Sequence, residues 1–261
     1  YQAVGDYNLA LRFYRRSLKI SNDIENQHSI ANDLTSISLV FIEIGKFSKA
    51  KKLIGNALEI QKEITEKGLE SECCLQLCRI NMGTKNIAVA REYCSRATKI
   101  IEDIGHKKRN LVECLLLDSE LYYREKIYSK GIKVANKAIK MAKEMGTKDL
   151  YAKALLLKVK NGIKLHVLSK LEVRKILDEA KEIAEEIGCP EILWRVYFEY
   201  GRYLQNNKEY LEALDYYQKC NGIFSDVISK IKNESYRRSY FNRPDRQAVL
   251  AAIDKIEKLL H

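Results

Sequence analysis

The chain has 261 residues, of which 46% are apolar and 2 are proline, a composition that excludes an intrinsically disordered chain. A formal net charge of +11 favours acidic partners without identifying them. No apolar stretch approaches the roughly 18 residues that cross a bilayer, so we expect no membrane insertion. Seven cysteines without framework spacing or a signal peptide predict reduced thiols and a cytoplasmic location.

The sequence repeats a helical pattern about every 40 residues. Small or aliphatic residues occur in pairs seven positions apart, which places both members of a pair on one face of a helix. A bulky residue stands three positions before each pair, except where Lys170 occupies that position. The six pairs are Ala10 and Ser17, Ala50 and Ala57, Ala90 and Ala97, Gly131 and Ala138, Val173 and Ala180, and Ala213 and Cys220. Each pair marks the second helix of a two-helix unit.

A first helix is predicted upstream of each second helix. In residues 34–44, for example, apolar side chains recur at a spacing of three and four before a turn at Gly45, the period of an amphipathic helix. Glycine favours the left-handed conformation with which many helices end. We therefore expect second helices to stop at Gly68, Gly105, Gly146 and Gly188.

These residues resemble the tetratricopeptide repeat, and the sixth copy carries the resemblance most clearly. The positions that match are Tyr197, Tyr200, Gly201, Leu204, Tyr210, Ala213, Tyr217 and Cys220. The resemblance implies an all-α, right-handed superhelical solenoid of antiparallel helix pairs. The unit departs from the family's common length of about 34 residues, and Asn81 stands where an aromatic residue is usual. Long units of this kind are similar to the repeat regions of large bacterial signalling proteins.

The predicted organisation is a repeat array in residues 1–233, with a partial first repeat and five full repeats, then a linker and a capping helix in residues 234–261. Pro244 suits the first turn of that last helix. Its apolar face would cover the end of the stack, as terminal repeats require. The residues of that face are Val249, Ile253, Ile256 and Leu260.

The two ends of the sequence suggest a larger protein. In the repeat register Tyr1 takes the position that Phe41 occupies in the next copy, so the sequence starts inside a repeat. Residues 236–246 are similar to the C-terminal ends of bacterial proteins that join a kinase, ATPase or sensor module to such repeats. We therefore expect a fragment of a bacterial signalling protein.

No motif for catalysis, a cofactor or a metal is present. Cys74 and Cys78 would share a helix face, with Cys73 and Cys94 near them, and a thiolate metal site is one interpretation. Core packing is the stronger interpretation because these cysteines occupy buried positions of the repeat. The four histidines are dispersed, and no phosphate-binding loop or nucleophile elbow occurs. The sequence predicts a protein that is not an enzyme.

The resemblance places ligand binding on the concave surface, which the first helices line. Arginine and aromatic side chains there would hold a protein or peptide that carries carboxylates. An ordinary solvated surface is the alternative for the same residues. The candidate binding residues are Arg79, Glu120, Tyr123, Arg124, Lys158, Arg195, Phe198 and Arg202.

A second candidate surface is a basic stripe along one helix. Its lysines are spaced alternately by four and three residues, a spacing typical of a solvated helix face and also suited to an acidic partner. They are Lys126, Lys130, Lys133, Lys137 and Lys140. The stripe and the net charge of +11 favour one alternative to a scaffold, a helical-repeat protein that binds nucleic acid. A peptide-sensing receptor that controls an attached output module is a second alternative. The sequence leaves the oligomeric state open.

Overall fold

A computed structural model describes residues 1–105 and 108–260 of the chain, so His106 and His261 lie outside the described residues. The described part contains a short 3-10 helix, Gln2–Val4, thirteen α-helices and no strand. None of these helices is long and apolar enough to span a membrane. They are α1 Tyr7–Asp23, α2 Gln27–Ile44, α3 Phe47–Ile64, α4 Lys67–Gly83, α5 Ile87–Ile104, α6 Lys108–Arg124, α7 Tyr128–Glu144, α8 Lys148–Leu165, α9 Lys170–Ile187, α10 Pro190–Asn206, α11 Tyr210–Lys230, α12 Glu234–Phe241 and α13 Pro244–Leu260.

Five units each consist of a first and a second helix, from the pair α2 and α3 to the pair α10 and α11, and α1 is a second helix that precedes them. The small residues of the repeat lie where helices approach most closely. In the five complete units the second member of each pair is fully buried, as Ala57, Ala97, Ala138, Ala180 and Cys220. The predicted register of second helices is therefore confirmed in these units, whereas the equivalent Ser17 of α1 is exposed.

Most of the predicted helix stops are correct, and one is wrong. Gly105, Gly146 and Gly188 have φ angles of 78°, 64° and 63°, in the left-handed region that glycine adopts without strain. Gly68 instead lies in the first turn of α4, where its carbonyl accepts a hydrogen bond from the Ser71 hydroxyl at 2.7 Å. The left-handed residue after α3 is Thr65, with a φ of 53°, so the chain turns three residues earlier than predicted.

The C-terminal segment contains one more helix than predicted. Residues expected to form a linker fold into α12, which begins where the Asn233 side chain accepts a hydrogen bond from the Tyr236 amide at 3.0 Å. Burial of Tyr240 holds this helix against the array. In α13 the predicted apolar face is shorter than expected, because Val249 and Ile256 are fully buried but Leu260 is 41% exposed.

Gly201 of α10 marks a close approach of two helices. A Cβ atom at this position would lie 2.6 Å from Cε1 of Tyr217, whose ring is fully buried on α11. Gly222 of α11 is also helical, but no atom lies within 4 Å of its Cβ position. Glycine is therefore required for packing at the first position and not at the second.

We predict opposite effects for the two alanine variants. Gly222→Ala gains up to about 1 kcal/mol because alanine is the better helix former. Gly201→Ala loses about 1–3 kcal/mol because the added methyl group displaces the Tyr217 ring. Urea unfolding followed by circular dichroism measures both free energies of unfolding. Equal stabilisation by the two substitutions would contradict the proposed contact.

Candidate functional site

A groove of about 390 Å³ runs along the inner surface of the array. Each first helix from α2 to α10 contributes to its lining, and α3 and the start of α13 complete it. Its apolar part consists of Ile42, Phe47, Met82, Leu116, Leu117, Leu150, Leu156, Leu157, Trp194 and Phe198. Its charged part consists of Glu43, Glu113, Glu120, Glu199 and Asp245 and of Arg79, Arg124, Lys153, Lys160, Arg195 and Arg243. An apolar surface with convergent charged groups is typical of ligand-binding clefts.

Ion pairs connect neighbouring first helices across the groove. Arg79 of α4 lies 2.6 Å from the Glu113 carboxylate of α6, and Lys160 of α8 lies 2.6 Å from that of Glu120. Burial raises the pKa of Glu113, but Arg79 outweighs it, so the net pKa is below the ordinary value. The same holds for Glu120 beside Lys160. Both carboxylates are therefore ionised and neutralised by their partners.

Lys153 differs from the other cations of the groove. It lies on α8, and no described residue forms a hydrogen bond or an ion pair with its ammonium group. Burial lowers its pKa, and Asp149 and Glu113 oppose this shift only in part, with Arg79 and Arg195 acting to lower it further. Within the described part of the chain, the ammonium group of Lys153 therefore has hydrogen-bond donors that are free to bind an anion.

A buried carboxylate lies next to the groove residue Trp194. Glu191 of α10 accepts hydrogen bonds from the hydroxyl groups of Tyr7 and Tyr240, each at 2.9 Å. The Trp194 indole donates to it at 2.9 Å, and Arg246 donates to both of its oxygens at 2.8 Å. These donors come from α1, α10, α12 and α13, so we call this set of five residues the Glu191 clasp.

Arg243 extends the clasp to α2. Its guanidinium donates to the carbonyl oxygens of Ile42 at 2.7 Å and Glu43 at 3.1 Å, at the C-terminal end of α2, where a cation is favourable. It also donates to Asp245 at 2.8 Å. Arg195 lies 3.8 Å from the Glu43 carboxylate. The last helix thus connects the first complete unit with the last one.

Five of the eight predicted binding residues line the groove, namely Arg79, Glu120, Arg124, Arg195 and Phe198. Tyr123, Lys158 and Arg202 lie outside this lining. Tyr123 lies beneath the Lys160 ammonium, 4.6 Å from ring centre to nitrogen, and Arg202 pairs with Glu199 at 3.1 Å. Lys158 is partly exposed on α8. The structure thus brings most of the predicted set together.

The predicted set included Glu120 but none of the other acidic residues of the groove and neither Lys153 nor Lys160. Glu113 and Glu120 are seven residues apart on α6, and Lys153 and Lys160 are seven apart on α8. Seven residues are close to two helical turns, so each pair shares a face. Opposite charges at the same spacing on successive first helices were therefore the signal that could have identified them.

The basic stripe is exposed and lies outside the groove lining. Lys130, Lys133, Lys137 and Lys140 are exposed on α7. Lys126 is also exposed, but it occupies the turn before α7 with a φ of 63°. The prediction of a single helix for all five lysines is therefore wrong at Lys126, because α7 begins at Tyr128.

The cysteines lie in the core. Cys73, Cys74, Cys78 and Cys94 are each at most 2% exposed, and burial raises the pKa of Cys74 to about 11 and of Cys73 to about 12. Burial thus favours the neutral thiol at Cys73 and Cys74, the form in which cysteine packs as a small apolar side chain. Within the residues that the structure describes, no group of three His, Cys, Asp or Glu side chains is arranged to hold a metal ion.

Comparison with known proteins shows the fold. No protein-family model matches the sequence, and no curated protein matches it. A Rap protein in complex with competence and sporulation factor superposes with a TM-score of 0.68 at 14% identity, over 98% of this chain and 79% of the Rap chain. The apo form of RapI gives 0.59 at 16% identity, over 87% and 83% of the two chains.

A third similar structure is the signal transduction ATPase with numerous domains with a tetratricopeptide repeat sensor from Pyrococcus horikoshii. Its TM-score is 0.61 at 17% identity, over 95% of this chain and 41% of that protein. The chain therefore spans less than half of that ATPase. Together these likenesses confirm the predicted all-α solenoid of tetratricopeptide-like helix pairs.

We predict that the Glu191 clasp makes stability depend on acid pH. Burial raises the pKa of Glu191, but Arg246 and Arg195 outweigh it and lower the value to about 2. Because a carboxyl group in the unfolded chain titrates near pH 4.3, this stabilisation is complete above that pH and is lost as pH falls towards 2. A difference of about 2 units corresponds to about 3 kcal/mol.

The measurement is urea unfolding between pH 3 and pH 7. Glu191→Gln should lose about 3 kcal/mol at pH 7, because the buried Arg246 then keeps only Asp245, at 2.9 Å, as a charged partner. The stability of this variant should vary less between pH 5 and pH 3 than that of the unmodified chain. Glu234→Gln, which alters an exposed pair with Arg238, is the control and should change little. A parallel pH dependence in the Glu191 variant would refute the assignment.

Proposed function

We propose that the protein is a non-catalytic scaffold that binds a protein or peptide in its groove, with a carboxylate of the ligand at Lys153. The observation that carries this proposal is that Lys153 lines a partly apolar groove and that no described residue forms a hydrogen bond or an ion pair with its ammonium group. The other cations named in the groove geometry, Arg79, Lys160 and Arg243, already have carboxylate partners. An incoming carboxylate is therefore best received at Lys153 by a charge-assisted hydrogen bond.

The paired carboxylates of the groove are suited to holding its shape and not to acid–base catalysis. A general acid or base at neutral pH needs a pKa near the working pH. The lowered pKa values of Glu113 and Glu120 keep both groups ionised and unsuited to proton transfer. Their ion pairs instead hold the first helices at fixed distances, which preorganises the surface for a ligand.

The similar structures support this proposal at the level of the fold. A Rap protein of this architecture forms a complex with competence and sporulation factor, so a solenoid of similar extent holds a ligand. A role within a larger bacterial signalling protein stays a prediction, as does the cytoplasmic location. The cytoplasmic location is supported by the seven free cysteines, six of them buried, because reduced thiols are typical of a reducing compartment.

We predict that Lys153 selects acidic ligands. Random ten-residue peptides are selected by messenger RNA display for binding to the unmodified chain. Each enriched peptide is then synthesised in its original form and with each Asp or Glu replaced by Asn or Gln. Lys153→Met should weaken the acidic peptides about 10- to 100-fold, the range expected for a hydrogen bond to a charged group. Fluorescence anisotropy measures these dissociation constants.

The matched control is Lys158→Met on the same helix, outside the groove lining, which should leave binding unchanged. Selection of no peptide by a folded chain would overturn the scaffold function itself. Enriched peptides that bind Lys153→Met as tightly as the unmodified chain would overturn only the role of Lys153.

Nucleic acid is the second candidate partner, and the exposed lysines of α7 favour it. Phosphate contacts by several lysines produce binding that weakens steeply with salt. Fluorescence anisotropy with RNA and DNA at about 50 mM and about 200 mM salt distinguishes this candidate. A chain that shows no salt-sensitive binding, or whose binding survives Lys133→Gln with Lys137→Gln, does not use this surface for nucleic acid.

The sensing-receptor alternative predicts that the protein changes shape when it binds its ligand. Small-angle scattering with and without a bound peptide measures this change.

A further inference from the structure

A second cavity, of about 410 Å³, lies where the C-terminal segment meets the first complete unit. It is bounded by the turn between α2 and α3, by α12 and by the residues that begin α13. Its volume falls within the range of about 300–1,000 Å³ that is usual for small-molecule pockets. We call this cavity the α12 pocket. Its charged and polar lining residues are Lys46, Ser235, Arg238, Ser239, Asn242 and Arg243.

Positive charge from three segments meets in the α12 pocket. Lys46 immediately precedes α3, Arg238 lies on α12 and Arg243 immediately precedes α13. Among the described residues that line the pocket, none is acidic. Like charges that different elements bring together repel one another, and an anion between them removes this repulsion. The pocket is therefore suited to an anionic ligand.

Two of these three cations remain available to a ligand. The ammonium group of Lys46 donates to the Ser235 hydroxyl at 2.9 Å, a neutral partner that does not compensate its charge. Arg238 lies 3.3 Å from the Glu234 carboxylate, but these side chains are 71% and 70% exposed, and an ion pair in water is weak enough to exchange its partner. Arg243 already has a carboxylate partner at 2.8 Å. Lys46 and Arg238 are therefore the cations that an anion would engage.

Neutral donors complete the polar side of the pocket. The Ser239 hydroxyl and the Asn242 side chain form no hydrogen bond with a described residue. The first amides of α3 have no side-chain cap, and the start of a helix favours an anion. A phosphate group carries about −1.5 to −2 charges at neutral pH and three acceptor oxygens. It therefore matches both the charge and the donors of the pocket.

We propose that the α12 pocket binds a small molecule that carries a phosphate monoester. The phosphate lies between Lys46 and Arg238, and the rest of the ligand packs on Phe47 and Pro244, which form the apolar wall. Because the pocket has the volume of a site for an organic ligand as well as this wall, an organic phosphate fits it better than the free ion. The site does not depend on the function proposed for the groove, although Phe47 and Arg243 line both cavities.

Phenyl phosphate is the probe, because its ring suits Phe47 and its charge suits the two available cations. It is titrated into the whole chain to about 10 mM at constant ionic strength by isothermal titration calorimetry, with phenol and inorganic phosphate as comparators. We expect phenyl phosphate to bind at least about tenfold more tightly than either comparator. It should also raise the unfolding temperature and slow amide hydrogen exchange in α12, because the ligand ties this helix to the start of α3.

Matched double variants locate the site. Lys46→Met with Arg238→Met should weaken the binding of phenyl phosphate at least about tenfold, because both charge-assisted hydrogen bonds are lost. Lys51→Met with Arg237→Met removes two exposed charges from α3 and α12 outside the pocket and should leave binding unchanged. Lys153→Met, which alters the groove, should also leave it unchanged. A thermal melt checks that each variant is folded.

Three outcomes would overturn the proposal. The first is no binding of phenyl phosphate by the folded chain over the whole titration. The second is equal affinity for inorganic phosphate, which would make the pocket a site for the free ion. The third is an equal loss of binding in Lys153→Met or in the control pair, which would place the ligand elsewhere. Failure of the groove to select acidic peptides leaves these readouts unaffected, so failures at the two sites are distinguishable.

Discussion

The closed form of the array depends on one buried carboxylate. Glu191 receives donors from α1, α10, α12 and α13, including both Nη2 contacts of the fully buried Arg246. A buried charge is costly unless it is paired and hydrogen-bonded. The pairing is nearly complete, although Nε of Arg246 has no hydrogen-bond partner in the described part of the chain. Because donors from four helices must reach the same carboxylate, the network favours one arrangement of α1 and the C-terminal helices on α10.

That arrangement determines the groove. With the C-terminal segment fixed on α10, Arg243 reaches the last carbonyls of α2 and contributes to the lining beside Asp245. The groove is then bounded by ion pairs on several sides, which restrain the first helices against sliding. Such pairs add little net stability when their desolvation is counted, so their main consequence is a surface of defined shape. Lys153 stands out because no described residue forms a hydrogen bond or an ion pair with its ammonium group, although Asp149 and Glu113 act on it from a distance.

The local repeat was predictable because it depends on neighbours in sequence. The small residues from Ala57 to Cys220 recur about once per repeat of 40 residues and identify the second helices. Gly201 could be placed at a helix contact because it also occupies a small-residue position of the repeat. The position of Gly68 was mispredicted because Thr65 accepts the left-handed conformation, which glycine alone was expected to take.

The Glu191 clasp and the free state of Lys153 could not be predicted in this way. Tyr7 and Glu191 are 184 residues apart, and they meet only if small rotations between successive units accumulate to close the array. Sequence period fixes the content of each unit and not these rotations. Likewise, whether Arg79 or Lys153 has a partner depends on which first helices face one another across the groove. Eight residues were therefore assigned to one surface, of which five lie on it.

The C-terminal helices complete the last unit of the array. At α11 the covering role that the next first helix has in each earlier unit passes to α12 and α13, where Tyr240, Val249 and Ile256 are fully buried. Burial of apolar area contributes about 25 cal/mol per Å² wherever it occurs. Because the same two helices carry Tyr240 and Arg246 to Glu191, the burial that stabilises the last unit and the hydrogen bonds of the Glu191 clasp form together.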